Sequence, residues 1–418
     1  MQLTKLTSAA TPRSSHTDAN DASHRGVSGG GGTVDLPLDL TEKILYGISP
    51  LASARLATVC KSWAAIVSDR LKRLAPHLFV YLPADHRLDR RGVVVSVPLD
   101  SSAARGHPAP AAIPCRVRLK DTTHLRCVGA MPASGRLAFA NYSWCKNSVL
   151  LVNPITGARR SVNVGRLRGN PVVPSGGAAD SFVPIAIDEL VIWRRRRVAG
   201  GEEWLKSTVQ DGACRTDAIM SVASCHNGRF FYMLDRNGHV FVVDAGAPPP
   251  LLRVDKLPAA SLFRRFAPPH PSHVTGHGYL LGSDDEVLFV RRVLAYKDDG
   301  PALCKHRADD LLSVVGFKVY RLDDAEGRSW TEVEELAGGD RALFVSPASS
   351  FAVRASETEG CRSNCIYFVD KRRCYSCHKD DGITWGVYSM EDREISFKHT
   401  ITEPGPCTSA TWFLPRVA

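Results

Sequence analysis

Short β-rich runs separated by turns fill this sequence from about residue 77 onward. The clearest runs cover residues 93–97, 149–152, 240–243, 287–290, 317–320 and 365–369. Val, Ile, Phe and Tyr are enriched in these runs, and Gly, Asn and Asp cluster between them, which is the pattern of strands joined by turns. No long helical stretch interrupts the runs. The larger part of the chain therefore predicts an all-β fold.

A degenerate repeat runs through this β-rich part. An apolar segment followed by Asn or Asp and then by a turn occurs at residues 151–153, 242–244, 320–323 and 368–370. The intervals are close to one or two multiples of about 45 residues, the length of one propeller blade. Inner strands of a propeller are covered by neighbouring blades, which explains the continuous apolar runs. The repeat favours a β-propeller over the alternative, a stacked β-sandwich pair.

Residues 34 to about 75 show helical spacing instead. The first apolar stripe consists of Leu36, Leu40, Ile44, Leu45 and Ile48. A second stripe consists of Leu56, Val59, Cys60, Trp63, Ile66 and Val67. Pro37 suits the first turn of a helix, and Ser49-Pro50 ends the first helix and opens the next. Short helices with wide apolar faces are not stable alone, so another domain or a partner must cover them.

The sequence thus predicts three segments and a mainly β fold class. Residues 1–32 are rich in Ser, Thr, Ala and Gly and predict a disordered tail. Residues 33–75 predict a small all-α domain, and residues 76–418 predict the β-propeller. An organellar transit peptide is an alternative for the tail, but Asp18 and Asp21 argue against it.

Two separated motifs occur in the helical segment. The first reads Leu36-Pro37-x-Asp39-Leu40-x-x-x-Ile44-Leu45, and the second reads Val59-Cys60-Lys61-Ser62-Trp63. Together, and in this order, they resemble the F-box motif. Residues 47–51 depart from that motif because they lack its usual charged, leucine-rich loop. The alternative is a helical hairpin that only caps the β domain.

Five further motifs carry a second resemblance. They are Gly327-Arg328-Ser329-Trp330-Thr331, Ser350-Phe351-Ala352-Val353, Cys365-Ile366-Tyr367-Phe368, Trp385-Gly386-Val387-Tyr388 and Trp412-Phe413-Leu414-Pro415. Their order is similar to that of the plant F-box family with a KIB-type β-propeller, formerly domain of unknown function 295. With the F-box, the resemblance covers nearly everything after Gly32.

The family resemblance implies the substrate-recognition subunit of an SCF-type (Skp-cullin-F-box) E3 ubiquitin ligase. The F-box would dock on a Skp-type adaptor, and through it on cullin and RING subunits, while the propeller would bind an unnamed protein target. The residues implied to contact the adaptor are Leu36, Pro37, Leu40, Ile44, Leu45, Val59 and Trp63. One alternative is an interaction propeller without a ligase role, such as an inhibitor or scaffold. Another is a propeller enzyme, but no acidic or His-rich motif recurs at blade spacing, so we expect no catalytic residue and no cofactor.

Charge and hydropathy restrict the other partners. The formal net charge of +10 comes from 53 Lys and Arg against 43 Asp and Glu, and the basic residues are scattered, so we expect no nucleic-acid partner. No apolar run approaches the roughly 20 residues of a membrane span, and we expect a cytoplasmic or nuclear protein without membrane contact. The one dense basic run, residues 194–197, has three interpretations: a solvated hairpin tip, a contact for an acidic partner, or a nuclear-import signal.

A cysteine-rich stretch has the spacing of a metal site. It contains Cys361, Cys365, Cys374, Cys377 and His378. A Cys-x-x-Cys-His turn can offer two zinc ligands, but Cys365 begins an apolar strand, where its side chain would point into a core. We therefore expect separate thiols and no metal, with zinc as the alternative.

Overall fold

The computed structural model describes residues 36–82, 90–95, 97, 99, 112–119, 125–141, 148–165, 171–176, 180–183, 190–199, 201–209, 219–235, 238–246, 253–256, 273–283, 285–296, 312–323, 329–371, 383–401 and 409–417. The tail at residues 1–32, for which disorder is predicted, lies outside these residues. The chain divides into two compact units, Met1–Ile44 and Leu45–Ala418.

Among the described residues, all α-helices lie before residue 73. Later in the chain, short 3₁₀ turns lie between strands. They are α1 (Leu38–Tyr46), α2 (Pro50–Ser53), a 3₁₀ turn (Ala54–Thr58) and α3 (Lys61–Lys72). The carbonyl of Pro37 accepts bonds of 3.1 Å from the N–H groups of Leu40 and Thr41, which starts α1. The hydroxyl of Ser49 accepts from Ala52 N–H at 3.3 Å and caps α2. The predicted break at Ser49-Pro50 is confirmed, while the second predicted helix is divided into the 3₁₀ turn and α3.

Strands are the main elements in the rest of the described chain. In chain order they are β1 (His77–Leu82), β2 (Arg90–Val95), β3 (Ala112–Leu119), β4 (Leu125–Met131), β5 (Arg136–Asn141), β6 (Ser148–Val152), β7 (Arg159–Asn163), β8 (Ser181–Phe182), β9 (Leu190–Val198), β10 (Gly201–Val209), β11 (Ile219–Cys225), β12 (Phe230–Asp235), β13 (Val240–Asp244), β14 (Arg253–Lys256), β15 (His273–Ser283), β16 (Glu286–Tyr296), β17 (Leu312–Asp323), β18 (Ser329–Val333), β19 (Arg341–Val345), β20 (Ser350–Arg354), β21 (Cys365–Lys371), β22 (Ile383–Ser389), β23 (Glu394–Ile401) and β24 (Ser409–Phe413).

The described strands form six sheets, which we number as blades 1 to 6 in chain order. The strand orders are β24-β1-β2-β3, β4-β5-β6-β7, β8-β9-β10, β11-β12-β13-β14, β15-β16-β17-β18 and β20-β19-β21-β22-β23. Almost all pairings are antiparallel, as expected for a meander. The predicted mainly β, propeller fold is confirmed, and the described residues contribute six blades, a number that the sequence leaves open.

Blade 1 combines strands from distant parts of the sequence. β24 pairs antiparallel with β1, with Phe413 opposite His77 and Ser409 opposite Tyr81. This pairing closes the ring, because the strand after blade 6 becomes the first strand of blade 1.

Six apolar clusters join each blade to the next. Between blades 6 and 1 lie Trp385 and Trp412, which are almost completely buried, with ring centroids 6.3 Å apart in an edge-on arrangement. The other clusters join blades 1 and 2, 2 and 3, 3 and 4, 4 and 5, and 5 and 6. Burial of this kind is the main stabilising contribution of a sheet that has neighbours on both faces.

The repeat found in the sequence marks one position in the blades. Asn153 follows β6, Asp244 and Asp323 are the last residues of β13 and β17, and Asp370 lies in β21. The strands β6, β13, β17 and β21 are each the third strand of their sheet. Blade 6 departs from the meander, because β19 and β21 run parallel. The repeat therefore indicates strand position within a blade but not the connection inside blade 6.

Candidate functional site

Apolar side chains in and just before α1 lie in solvent. Leu36, Leu40 and Ile44, all predicted partner contacts, are 44%, 48% and 44% exposed. Leu38 is 58% exposed, and Pro37 is exposed as well. A group of large apolar side chains in solvent is unusual for a folded protein, and such groups are candidates for interaction surfaces.

The remaining predicted contacts fall into two classes. Leu45 and Trp63 are buried in an apolar cluster of the helices together with Val67 and Leu71. Val59 is 64% exposed. Leu45 and Trp63 thus stabilise the helical segment itself, whereas the Val59 side chain lies in solvent.

The sequence does not predict Tyr46 or Leu38 as partner contacts, yet Tyr46 is 91% exposed and Leu38 is also exposed. Neither belongs to the helical stripe of Leu36, Leu40 and Ile44, so periodicity offered no signal for them. Their exposure adds two large apolar or aromatic groups to those that a partner could bury.

Arg70 of α3 fixes the end of α1. Its guanidinium donates to the carbonyl of Leu45 and, at 3.0 Å, to the carbonyl of Ile48. Carbonyls at a helix C-terminus lack intrahelical donors, and a cation there is favourable. The Leu45 carbonyl also accepts from Ile48 N–H at 3.1 Å, so Arg70 gives it a second, charged donor and also binds the Ile48 carbonyl.

Blades 3, 4 and 5 pack closely around Ser175. The Ser175 hydroxyl donates to the carbonyl of Leu280 at 2.7 Å and accepts from Gly282 N–H at 3.2 Å. A Cβ on Gly282 would overlap the backbone oxygen of Ser224, and one on Gly176 would lie 2.6 Å from the oxygen of Gly282. The segment before β8 and strands β11 and β15 thus meet backbone to backbone, which joins blades 3, 4 and 5.

Gly282→Ala is expected to destabilise the propeller by about 2 kcal/mol, because the added methyl has no space against backbone atoms. Urea unfolding of the full chain measures the effect. Gly201→Ala is the matched control, since a Cβ there meets nothing within 4 Å. An unchanged midpoint for Gly282→Ala would show that the inner strands can separate.

A charged cluster joins blades 2 and 3. Glu202 accepts from Arg136 in two bonds of 2.9 and 3.0 Å, from Arg160 at 3.1 Å and from Arg195 at 2.9 Å. Arg195 Nε also lies 3.0 Å from the buried Asp180 carboxylate. Since Arg136 and Arg160 belong to blade 2 and Glu202 and Arg195 to blade 3, the cluster connects the two blades.

The basic run at residues 194–197 is not a solvated hairpin tip throughout. The Arg195 side chain is only 6% exposed. Arg194 points the other way and donates to the carbonyls of Gly228 and Ala245 in blade 4. Neighbouring side chains along a strand point to opposite faces, so Arg194 reaches blade 4 while Arg195 lies in the charged cluster with Asp180 and Glu202.

Two carboxyl groups of this cluster have shifted pKa values. Hydrogen bonds from Arg136, with the nearby charge of Arg195, lower the pKa of Glu202 to about 2. Burial raises the pKa of Asp180, against the opposing attraction of Arg195. Glu202 therefore keeps its negative charge at physiological pH and neutralises part of the charge of three arginines.

The cysteines do not assemble into a site within the described residues. Cys365 is buried and Cys361 half-buried, and burial raises the pKa of the Cys361 thiol to about 12. Cys374, Cys377 and His378 lie outside the described residues. Among those that are described, no group of three or more metal-ligating side chains occurs.

A search for membrane spans found no helix of sufficient length and hydropathy in the part of the chain that the structure describes.

Comparison with known proteins places most of the chain in one family. Residues 107–389 match the model described as KIB1-4 beta-propeller. Over shorter stretches the chain is 52% identical over 59 residues to the F-box protein At2g26160 of Arabidopsis thaliana, covering 14% of this chain and 17% of that protein. It is 41% identical over 73 residues to the F-box protein At2g17690 of the same plant, covering 18% and 17%. The chain thus spans less than a fifth of the length of these curated relatives.

Proposed function

We propose that this chain, which belongs to the KIB1-4 beta-propeller family, is an F-box protein and the substrate-recognition subunit of an SCF-type E3 ubiquitin ligase. Its F-box would bind a Skp-type adaptor, which links it to cullin and RING subunits. Its propeller would bind a protein target.

The exposure of Leu36, Leu40 and Ile44 carries this proposal. These side chains belong to the segment that resembles the F-box, and close to half of each is exposed. Burial in a protein interface stabilises by about 25 cal/mol for each Å² of apolar surface, before the entropy of association is subtracted. An adaptor that covers them would gain this free energy.

The proposed role requires no chemistry from the chain itself. Binding a target beside the charged ubiquitin-transfer enzyme raises the effective concentration of the two reactants, which makes the encounter intramolecular. The target would contact loops at the rim of the propeller, because loops vary without disturbing the blades.

Replacing Leu36 and Leu40 together with Asp is expected to weaken binding of a plant Skp-type adaptor about 100-fold. Each change removes an apolar contact and adds a charge that the interface would have to desolvate. Isothermal calorimetry with the purified full chain and adaptor measures the affinity. Lys43→Ala, an exposed change on the same helix, is the control and is expected to bind normally.

Thermal unfolding of the double variant reports whether the propeller is intact. Adaptor binding that persists at wild-type strength in a folded double variant would contradict the proposal. The chain would then be better described as an interaction propeller without a ligase role.

A further inference from the structure

The turn after β6 is built around one buried side chain. Asn153 is fully buried, and its Oδ1 accepts from the N–H groups of Ile155 at 2.9 Å and Thr156 at 3.0 Å. Its backbone N–H donates to Ala158 at 2.9 Å. The side chain thus fixes the path of the turn and the position of Ile155.

The same side chain also binds the segment that follows β24. Asn153 Nδ2 donates to the carbonyl of Arg416 at 2.8 Å. Gly135, in the turn between β4 and β5, also packs against this segment. A Cβ on Gly135 would lie only 2.7 Å from the carbonyl oxygen of Leu414. Two turns of blade 2 therefore hold residues 414–417 in place.

The helical cluster packs against Ile155 and Val417, the two residues whose positions depend on Asn153. Ile155 and Val417 both pack against the helical cluster that contains Trp63 and Leu71. A third attachment comes from blade 6, where Glu359 N–H donates at 3.0 Å to the carbonyl of Arg73, the residue after α3. The segment from Leu45 onward is thus joined to the propeller by side-chain contacts as well as by the short connection to β1.

We propose that Asn153 is a positioning residue that sets the orientation of α3 on the propeller. It acts through Ile155 and Val417 and touches no partner. The side-chain amide of Asn153 positions both residues. Its oxygen accepts hydrogen bonds from the turn that contains Ile155, and its nitrogen donates a hydrogen bond to the segment that contains Val417. The inference goes beyond the ligase proposal, since it concerns how α3 is attached and holds for any partner of α1.

Asn153→Asp separates the two contributions. The carboxylate keeps the acceptor for Ile155 and Thr156 but loses the donor, and it places a negative charge against the carbonyl of Arg416. The turn is therefore retained while residues 414–417 are released. Val417 then leaves the helical cluster, and α3 loses part of its support.

Hydrogen exchange of the full chain, followed by mass spectrometry, tests this. In Asn153→Asp the amides of α3 are expected to exchange about tenfold faster, while peptides from β12 and β16 exchange as in the wild type. Asn163→Asp is the matched control, because Asn163 is exposed and its Oδ1 accepts only a local bond of 3.2 Å from Gly165 among the described contacts.

Two outcomes would overturn the proposal. Unchanged exchange in α3 would show that Asn153 does not hold the helices, and equally faster exchange in all blades would show a general contribution to stability. A chain that ends at Pro415 removes the same support without altering the turn, and must show the same selective increase in α3. Adaptor binding is measured separately, so loss of the ligase proposal would leave this result standing.

Discussion

A chain that ends at residue 408 is expected to lose its cooperative fold. It lacks β24, which pairs with β1 and supplies Trp412 and Phe413, both fully buried between blades. Removing one large buried aromatic side chain typically destabilises a protein by about 3–5 kcal/mol. Two such losses, together with five residues of strand pairing, are comparable to the roughly 5–15 kcal/mol that stabilise a whole domain.

Thermal unfolding followed by near-ultraviolet circular dichroism measures this loss, because buried Trp side chains report on tertiary packing. The chain that ends at Pro415 is the matched control and is expected to unfold cooperatively, since it retains β24. A cooperative transition at the wild-type temperature in the chain that ends at residue 408 would show that the ring does not depend on this strand.

Glu202→Gln is expected to destabilise the protein by about 3 kcal/mol near neutral pH. The change leaves Arg136, Arg160 and Arg195 close together without the carboxylate that they share. Removing one partner from a partly buried ionic cluster is strongly unfavourable. Urea unfolding measures the difference, and Glu203→Gln, an exposed neighbour in β10, is expected to have little effect.

The lowered pKa of Glu202 also makes the free energy of unfolding depend on pH. The pKa of Glu202 is about 2 in the folded protein, below its ordinary value of 4.5, so the unfolded chain takes up the proton first as the pH falls. The stabilisation is complete above about pH 4.5 and is lost progressively toward pH 2. The difference in unfolding free energy between wild type and Glu202→Gln should shrink over this range. A difference that stays constant would show that the charge of Glu202 does not contribute.

Much of the fold could be predicted because it depends on local patterns. The β-rich runs at residues 149–152 and 240–243 are strands β6 and β13, and the repeat that ends in Asn153 or Asp244 marks the third strand of a blade. Burial between blades requires such apolar runs whatever their order around the ring. The parallel pairing of β19 with β21 could not be predicted, since it depends on which distant strands meet.

The candidate site could be predicted only in part, for a similar reason. Helical spacing groups Leu40 and Ile44 correctly but does not distinguish a side chain that faces a partner from one that faces its own chain. Leu45 and Trp63 match the motif as well as Leu40 does, yet they are buried in the helical cluster. The run of arginines at 194–197 shows the same limit, because the residues that bind Arg195 are Asp180, in another segment, and Glu202, on the next strand.

The pairing of β24 with β1 has a consequence for how the protein is made in the cell. The two strands are separated by more than 300 residues, since β1 ends at Leu82 and β24 begins at Ser409. During synthesis, β1 lacks its partner strand β24 until the five later blades have been made. Until then the unpaired edge of β1 can form hydrogen bonds with strands of other chains. At about 5–20 residues per second this interval is tens of seconds, long enough for chaperones to bind the nascent chain.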